Sequence, residues 1–237
     1  MIRVGVAGAL GRMGSVTCGA VASAPDMELA AGFARRAEGA RIYDDLDKFL
    51  AQKLDVVVDF TVYPTSRQVA GEAIRAGACV VVGATGWPDG DVTSFREVVE
   101  KAKLGAMIVP NFAIGAVMLM RLAEIAAPHF RGVEIIEMHH EQKKDKPSGT
   151  ARLTAERIKA AAPQLRDVPI HSLRLPGLVA HQSVLFGATG QTLELRHDSL
   201  SRESFADGIL LAIREVKKHR GLTIGLDSVL FGEVAAR

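Results

Sequence analysis

Residues 1–14 read MIRVGVAGALGRMG, and this stretch decides the fold. Met1–Ala7 is a short apolar run with Val4 and Val6 at alternate positions, the pattern of a strand. Gly8, Gly11 and Gly14 come next at the spacing GxxGxxG, and Ser15–Ala24, rich in Ala and Val, predicts a helix that Pro25-Asp26 stops. A strand, a glycine turn and a helix in direct succession make a dinucleotide-binding unit. The first glycine permits the tight turn, the next lets phosphate approach backbone N–H groups, and the last lets the helix pack closely on the strand. A pyrophosphate then sits at the positive end of the helix, where Arg12 adds a charge-assisted contact. A purely structural turn is the competing reading, and the regular alternation of strands and helices over the next hundred residues argues against it.

Working outward, Met27–Phe33 predicts a second strand and Asp55–Phe60 (DVVVDF) a third, whose Val run suits a parallel strand buried on both faces. Pro64–Ala76 predicts a helix, Cys79–Gly83 a strand, Val92–Lys103 a helix and Ala106–Val109 a fifth strand. Strands alternating with helices in this way form a doubly wound parallel sheet. The texture then changes. Ile114–Ala127 reads as a helix, Val133–His140 as a strand and Gly149–Ala162 as a helix. Three strand-like runs come next, Ile170–Leu175, His181–Phe186 and Thr192–His197, with the turn Gly187–Gly190 between the last two. Short turns imply antiparallel or mixed pairing, hence a second domain, although one large α/β domain with an antiparallel edge is an alternative. Val184, Leu185 and Phe186 in succession are expected to leave apolar side chains exposed in a monomer. Ser204–His219 returns to an amphipathic helix.

The 237 residues carry a net charge of +2, with 24% charged and 48% hydrophobic residues. That balance excludes a basic coat for nucleic acid and argues against disorder. Two cysteines, Cys18 and Cys79, cannot build a disulfide framework, and no apolar run reaches the roughly 20 residues that span a bilayer. No basic stretch leads into an apolar signal segment at the N-terminus. The expectation is a cytoplasmic protein without nucleic-acid or membrane partners.

Other polar positions cluster where strands end. After the second strand stand Phe33-Ala34-Arg35-Arg36, with no carboxylate for ribose hydroxyls and two arginines for a 2′-phosphate; the bland alternative is that both are solvated. Arg35 lies nearer the strand end. Asp59-Phe60-Thr61 ends the third strand and either lines the same crevice or caps a helix. Gly83-Ala84-Thr85-Gly86 stands after the fourth strand and Asn111-Phe112-Ala113 after the fifth, at the carboxyl edge where such sheets bind ligands. The most informative stretch is Glu137–Thr150, EMHHEQKKDKPSGT. Its Ser148-Gly149-Thr150 helix start offers N–H groups and hydroxyls to an anion, and its histidines and lysine offer protons and positive charge. An acidic small molecule that must gain a proton fits this set. Zinc on His139 and His140 does not, because neighbours on a strand point to opposite faces.

With GALGRMG at Gly8, DFT at Asp59, GATG at Gly83, PNFAIG at Pro110, EMHHEQKKDKPSGTA at Glu137, LVAHQSVLFG at Leu178 and HDSLSRESFADG at His197, nearly the whole chain resembles the 4-hydroxy-tetrahydrodipicolinate reductase (dihydrodipicolinate reductase) family. The resemblance implies an α/β fold: an N-terminal Rossmann-like doubly wound parallel sheet, to which the last helical segment returns, plus a C-terminal α+β domain with a mixed sheet. The corresponding boundaries are 1–109 with 204–237 for the dinucleotide-binding domain, and 110–203 for the substrate-binding and oligomerisation domain. It implies a homotetramer and a dicarboxylate substrate; both NADPH and NADH are expected as cofactors, with NADPH preferred because Arg35 and Arg36 stand after the second strand. Carried over by motif, His139 resembles the family's proton donor and Lys143 its partner, while His140, Ser148, Gly149 and Thr150 resemble the substrate-carboxylate contacts. Gly8, Leu10, Gly11, Arg12, Met13, Gly14, Arg35, Phe60, Gly83, Ala84, Thr85, Pro110, Asn111 and Phe112 resemble the nucleotide site. Three departures stand out: Ala84 where the family usually has Thr, a short segment between Phe33 and Asp55, and Leu175-Pro176-Gly177 where more glycine is usual. Two other readings stay open, another dehydrogenase of the same build and a non-catalytic nucleotide sensor.

Overall fold

A computed structural model describes residues 1–232. Along the chain run β1 (Ile2–Ala7), α1 (Arg12–Ser23), β2 (Met27–Phe33), β3 (Ile42–Tyr43), α2 (Leu46–Leu50), β4 (Val56–Asp59), α3 (Thr65–Arg75), β5 (Cys79–Val82), α4 (Asp89–Ala102) and β6 (Gly105–Ile108). Then come α5 (Ile114–Ala126), β7 (Gly132–His139), α6 (Gly149–Ala161), β8 (Ile170–Arg174), β9 (Ala180–Ala188) and β10 (Gln191–Ser199), and after them α7 (Ala206–Val216), β11 (Gly221–Ile224) and α8 (Asp227–Phe231). Two compact units result: residues 1–112 with those from Phe205 onward, and residues 113–204. Residues 233–237, placed in the first domain from sequence, lie outside the described residues.

The first unit is a seven-stranded sheet in the order β11-β6-β5-β4-β1-β2-β3, parallel throughout. Strand order reverses at β1 and β4, the switch point at which doubly wound sheets bind ligands. The Val run of β4 is fully buried, as its composition predicts. The sheet has two strands more than the five expected. β3 is only two residues long, and β11, of four residues, lies just beyond the predicted helix Ser204–His219, in a stretch for which the sequence predicts no element. Helix α1 begins at Arg12, not Ser15, because Gly11 takes the extended N-cap conformation and lets the turn close at once. Helix α4 likewise starts early, at Asp89, where Asp89 and Asp91 favour the positive end of the helix.

The second unit is a four-stranded mixed sheet, order β10-β9-β7-β8, with β7 and β8 parallel and the other pairs antiparallel. Helices α5 and α6 pack on one face. The exposed Val184-Leu185-Phe186 run expected from sequence is not found: Val184 and Phe186 are buried in this core with Val133, Ile135, Leu119 and Ile158, and only Leu185 points away. Side chains alternate along a strand, so three apolar residues in a row cannot share one face. The opposite face carries half-buried Ile136, Met138 and Leu185 and exposed Leu173. No helix of the described residues is long and apolar enough to cross a membrane.

Candidate functional site

In the first unit the carboxyl ends of β1, β2, β4, β5 and β6 bring the nucleotide candidates to one edge of the sheet. Gly8 holds φ +79°, which other residues rarely adopt, and a Cβ there would lie 2.8 Å from the Phe60 carbonyl. A Cβ on Gly14 would lie 1.9 Å from the Gly8 carbonyl oxygen, so the turn and the first turn of α1 touch backbone to backbone. Gly8 and Ala9 donate their N–H groups to the Phe33 carbonyl, tying the turn to the end of β2. Gly11 caps α1 without a side chain, which leaves the helix's first N–H groups to a ligand. Leu10, Arg12 and Met13 line this opening, with Leu10 and Arg12 exposed.

The Phe60 and Phe112 rings meet at 5.5 Å, tilted 56° to one another, beside Gly83, where a Cβ would lie 2.2 Å from the Phe60 ring. Ala84 is buried next to them, whereas Thr85 and Pro110 are exposed and Asn111 half-buried. Asp59 proves to be a latch at the end of β4: it accepts the Thr61 N–H (3.0 Å), the Thr61 hydroxyl (2.6 Å) and the Ser66 hydroxyl, while Trp87 donates to Ser66 at 3.0 Å. Burial pushes the Asp59 carboxyl above its usual range, opposed by those hydrogen bonds. Beyond β2, Arg36 reaches Glu38 at 3.4 Å, while Arg35 is exposed and has no ion-pair partner among the described residues.

In the second unit His139 ends β7 with Nδ1 only 2.5 Å from Glu137 Oε2. Burial holds the imidazole below its usual pKa, with Glu137 working against that and Lys143 and Arg174 adding to it. Lys143 Nζ pairs with Asp145 at 2.8 Å. Ser148 is buried and caps α6 by accepting the Ala151 N–H at 3.2 Å, and its own N–H goes to Glu137 Oε1 at 3.2 Å. Gly149 is exposed, and a Cβ there would meet open space, so nothing in the fold demands glycine. The helix start is therefore open to an anion at Gly149.

His140 points elsewhere, as strand alternation requires. It lines a cavity of about 450 Å³ with Glu141, Pro176, Leu178 and Arg202, and none of Ser148, Gly149 and Thr150 borders that cavity. Sequence reasoning missed two partners of His139. Glu137 lies fully buried and Arg174 meets it through both terminal nitrogens, at 2.8 and 2.9 Å. Glu137 carried a signal, since it shares the inward period of Val133 and Ile135; Arg174 did not, because only the β7–β8 register brings it there.

The family description "Dihydrodipicolinate reductase, N-terminus" matches residues 2–112, and "Dihydrodipicolinate reductase, C-terminus" matches residues 115–230. The 4-hydroxy-tetrahydrodipicolinate reductase of Geobacillus thermodenitrificans is 40% identical over 262 aligned positions, covering 97% of this chain and 99% of that protein. That of Corynebacterium urealyticum is 39% identical, with the same coverage. A solved dipicolinate-bound dihydrodipicolinate reductase from Paenisporosarcina sp. TG-14 superposes with a TM-score of 0.90 at 35% identity, over 97% of this chain and 99% of that one. The DAP dehydrogenase of C. glutamicum, at a TM-score of 0.57 and 14% identity over 98% of this chain and 99% of that one, shares the fold alone.

Proposed function

The chain belongs to the dihydrodipicolinate reductase family, and on that premise we propose that β7 and the start of α6 hold and protonate the substrate while the glycine turn of the first unit holds the nucleotide. The family's reaction consumes 4-hydroxy-tetrahydrodipicolinate, a reduced nicotinamide nucleotide and a proton, and yields tetrahydrodipicolinate, oxidised nucleotide and water, within lysine/diaminopimelate biosynthesis. The observation that carries the reading is His139 and the open α6 start joined through one buried carboxylate, Glu137.

A bound nicotinamide nucleotide supplies the hydride. The residues present fit such a group: a Cβ at Gly8 or Gly14 would strike backbone, and α1 starts without a side-chain cap. On this reading Gly8, Leu10, Gly11, Arg12, Met13 and Gly14 take the pyrophosphate. Phe60, Gly83, Ala84, Thr85, Pro110, Asn111 and Phe112 shape the nicotinamide end. Gly149 and Thr150 donate to a substrate carboxylate, with Ser148 shaping the helix start. His140, on the other strand face, holds a second polar group.

His139 gives its proton to the substrate ring as electron density arrives there. Its lowered pKa makes the imidazolium a stronger acid, and Lys143 sharpens this. The negative charge of a dicarboxylate favours the imidazolium when substrate binds, which restores the charged form that the donor needs.

The test is turnover of freshly made 4-hydroxy-tetrahydrodipicolinate with NADPH and NADH in parallel; no turnover with either sinks the assignment. We expect kcat/KM about fivefold higher with NADPH, because unpaired Arg35 is available for a 2′-phosphate at a partly wet site. Arg35→Ala should abolish the preference. Wild-type preference for NADH, or an equal loss for both nucleotides in the variant, overturns the role of Arg35.

We also propose a homotetramer assembled through the outer face of the second sheet, where Ile136, Met138, Leu173 and Leu185 form an apolar patch that a symmetry mate covers. Sedimentation at micromolar concentration should give a tetramer; a monomer removes the proposal.

A further inference from the structure

We propose that Glu137 and Arg174 are positioning residues for the proton transfer: Glu137 anchors His139 by Nδ1 so that Nε2 carries the transferred proton, and Arg174 anchors Glu137 together with the loop that bears Lys143. The inference rests on the reading of His139 as the proton donor.

The geometry is closed on every side. Glu137 is fully buried and sits two residues before His139 on the same face of β7. Its Oε2 meets His139 Nδ1 at 2.5 Å and Arg174 Nη1 at 2.9 Å. Its Oε1 meets Arg174 Nη2 at 2.8 Å and the Ser148 N–H at 3.2 Å. A buried carboxylate demands such partners, and here each of them belongs to a different part of the site. Arg174 lies opposite His139 in the β7–β8 register, and its side chain is almost fully buried. It also donates to the carbonyls of Lys143 (3.3 Å), Asp145 (2.7 Å) and Leu173 (2.6 Å). One guanidinium thus ties β8, the loop after β7 and the carboxylate into a single piece.

The anchor dictates the chemistry. An imidazole whose Nδ1 faces a carboxylate keeps its proton there in both charge states. The imidazolium therefore gives up the proton on Nε2. The Nε2–H bond breaks, its electron pair stays on the ring, and the neutral ring left behind is the Nδ1–H tautomer. Solvent returns the proton after product leaves.

Arg174 also sets the strength of the anchor. Burial alone would raise the pKa of Glu137, but hydrogen bonds from Arg174 first, then Ser172 and His139, hold it below the usual range. A carboxylate already neutralised by Arg174 pulls less on the His139 proton, and the donor stays acidic. The charged groups facing His139 are Glu137 on its own strand, Arg174 on β8 and Lys143 on the loop; β9 opposes it with Ala180. Of these only Glu137 favours the imidazolium.

The signs of two substitutions are therefore opposite. Because the donor must be protonated, activity falls as pH rises through the His139 pKa. Glu137→Gln removes the charge that favours protonation, so the basic limb of kcat against pH should move to lower pH by about half a unit or more. The same variant should lose about tenfold or more in kcat, with nucleotide KM unchanged. Arg174→Gln leaves Glu137 unscreened, and the limb should move upward. A lower rate with an unmoved limb in both variants would mean that the pair only supports the fold.

A wild-type measurement needs no variant to fold. Long-range 1H–15N spectra of the full chain labelled in histidine should show neutral His139 as the Nδ1–H tautomer; the Nε2–H tautomer overturns the proposal outright. If the Nδ1–H tautomer is found but His139→Gln turns over normally, the donor reading has failed and the anchor has not.

Discussion

His139→Gln is expected to lower kcat by roughly 10²–10⁴-fold, the range that a positioned general acid supplies. Gln is close to His in reach and keeps a polar end toward Glu137, so the fold around β7 should persist. It has no titratable proton, however, and water must then protonate the ring without a fixed donor. Nucleotide affinity should not change, because the residues proposed to take the nucleotide stand in the other unit, at the strand ends of the parallel sheet. Steady-state rates alongside NADPH titration by fluorescence separate the two effects. Near-normal turnover removes His139 from the donor role.

The second large effect concerns folding and the nucleotide together. Gly14→Ala places a methyl group 1.9 Å from the Gly8 carbonyl oxygen and 2.6 Å from its carbon, both backbone atoms that cannot rotate away. The glycine turn must open by more than an ångström to accept it. Overpacking of this kind costs about 1–3 kcal/mol, occasionally more, which for a chain of this size lowers Tm by roughly 5–10 °C. The opened turn also misplaces the N–H groups proposed to receive pyrophosphate, so nucleotide Kd should rise about tenfold or more. Gly19, on the exposed side of the same helix, is the control: a Cβ there meets nothing, and Gly19→Ala should be neutral or slightly stabilising. Wild-type Tm and nucleotide affinity in Gly14→Ala would show that the close contact is not needed.

Legibility in sequence tracks element length and the reach of each contact. The unit β1–turn–α1 is readable because three glycines leave one geometry open, and β4 and β5 because Val runs of that length need burial on both faces. β3, with two residues, and α2, with five, are too short for any period to show. β11, with four residues, is likewise too short to show a period. The Val184–Phe186 run misleads because composition says how apolar a strand is, while only pairing says which way each side chain points. In the site, local chemistry is visible at His139 and at the α6 start. The Glu137–Arg174 pair is half visible, since one partner sits on the same strand and the other is supplied by register.

The return of the chain to its first unit has a consequence for biosynthesis. The second unit is one continuous segment, complete once residue 204 has been made. The parallel sheet cannot finish then, because its last strand, β11, pairs with β6 and is made only after the whole of the second unit. Through that interval β6 presents a bare, apolar edge, the kind of surface on which strands from neighbouring nascent chains add. Any truncation upstream of Gly221 makes that transient exposure permanent, so such fragments should aggregate even though every residue of the glycine turn and of the His139 site is present in them.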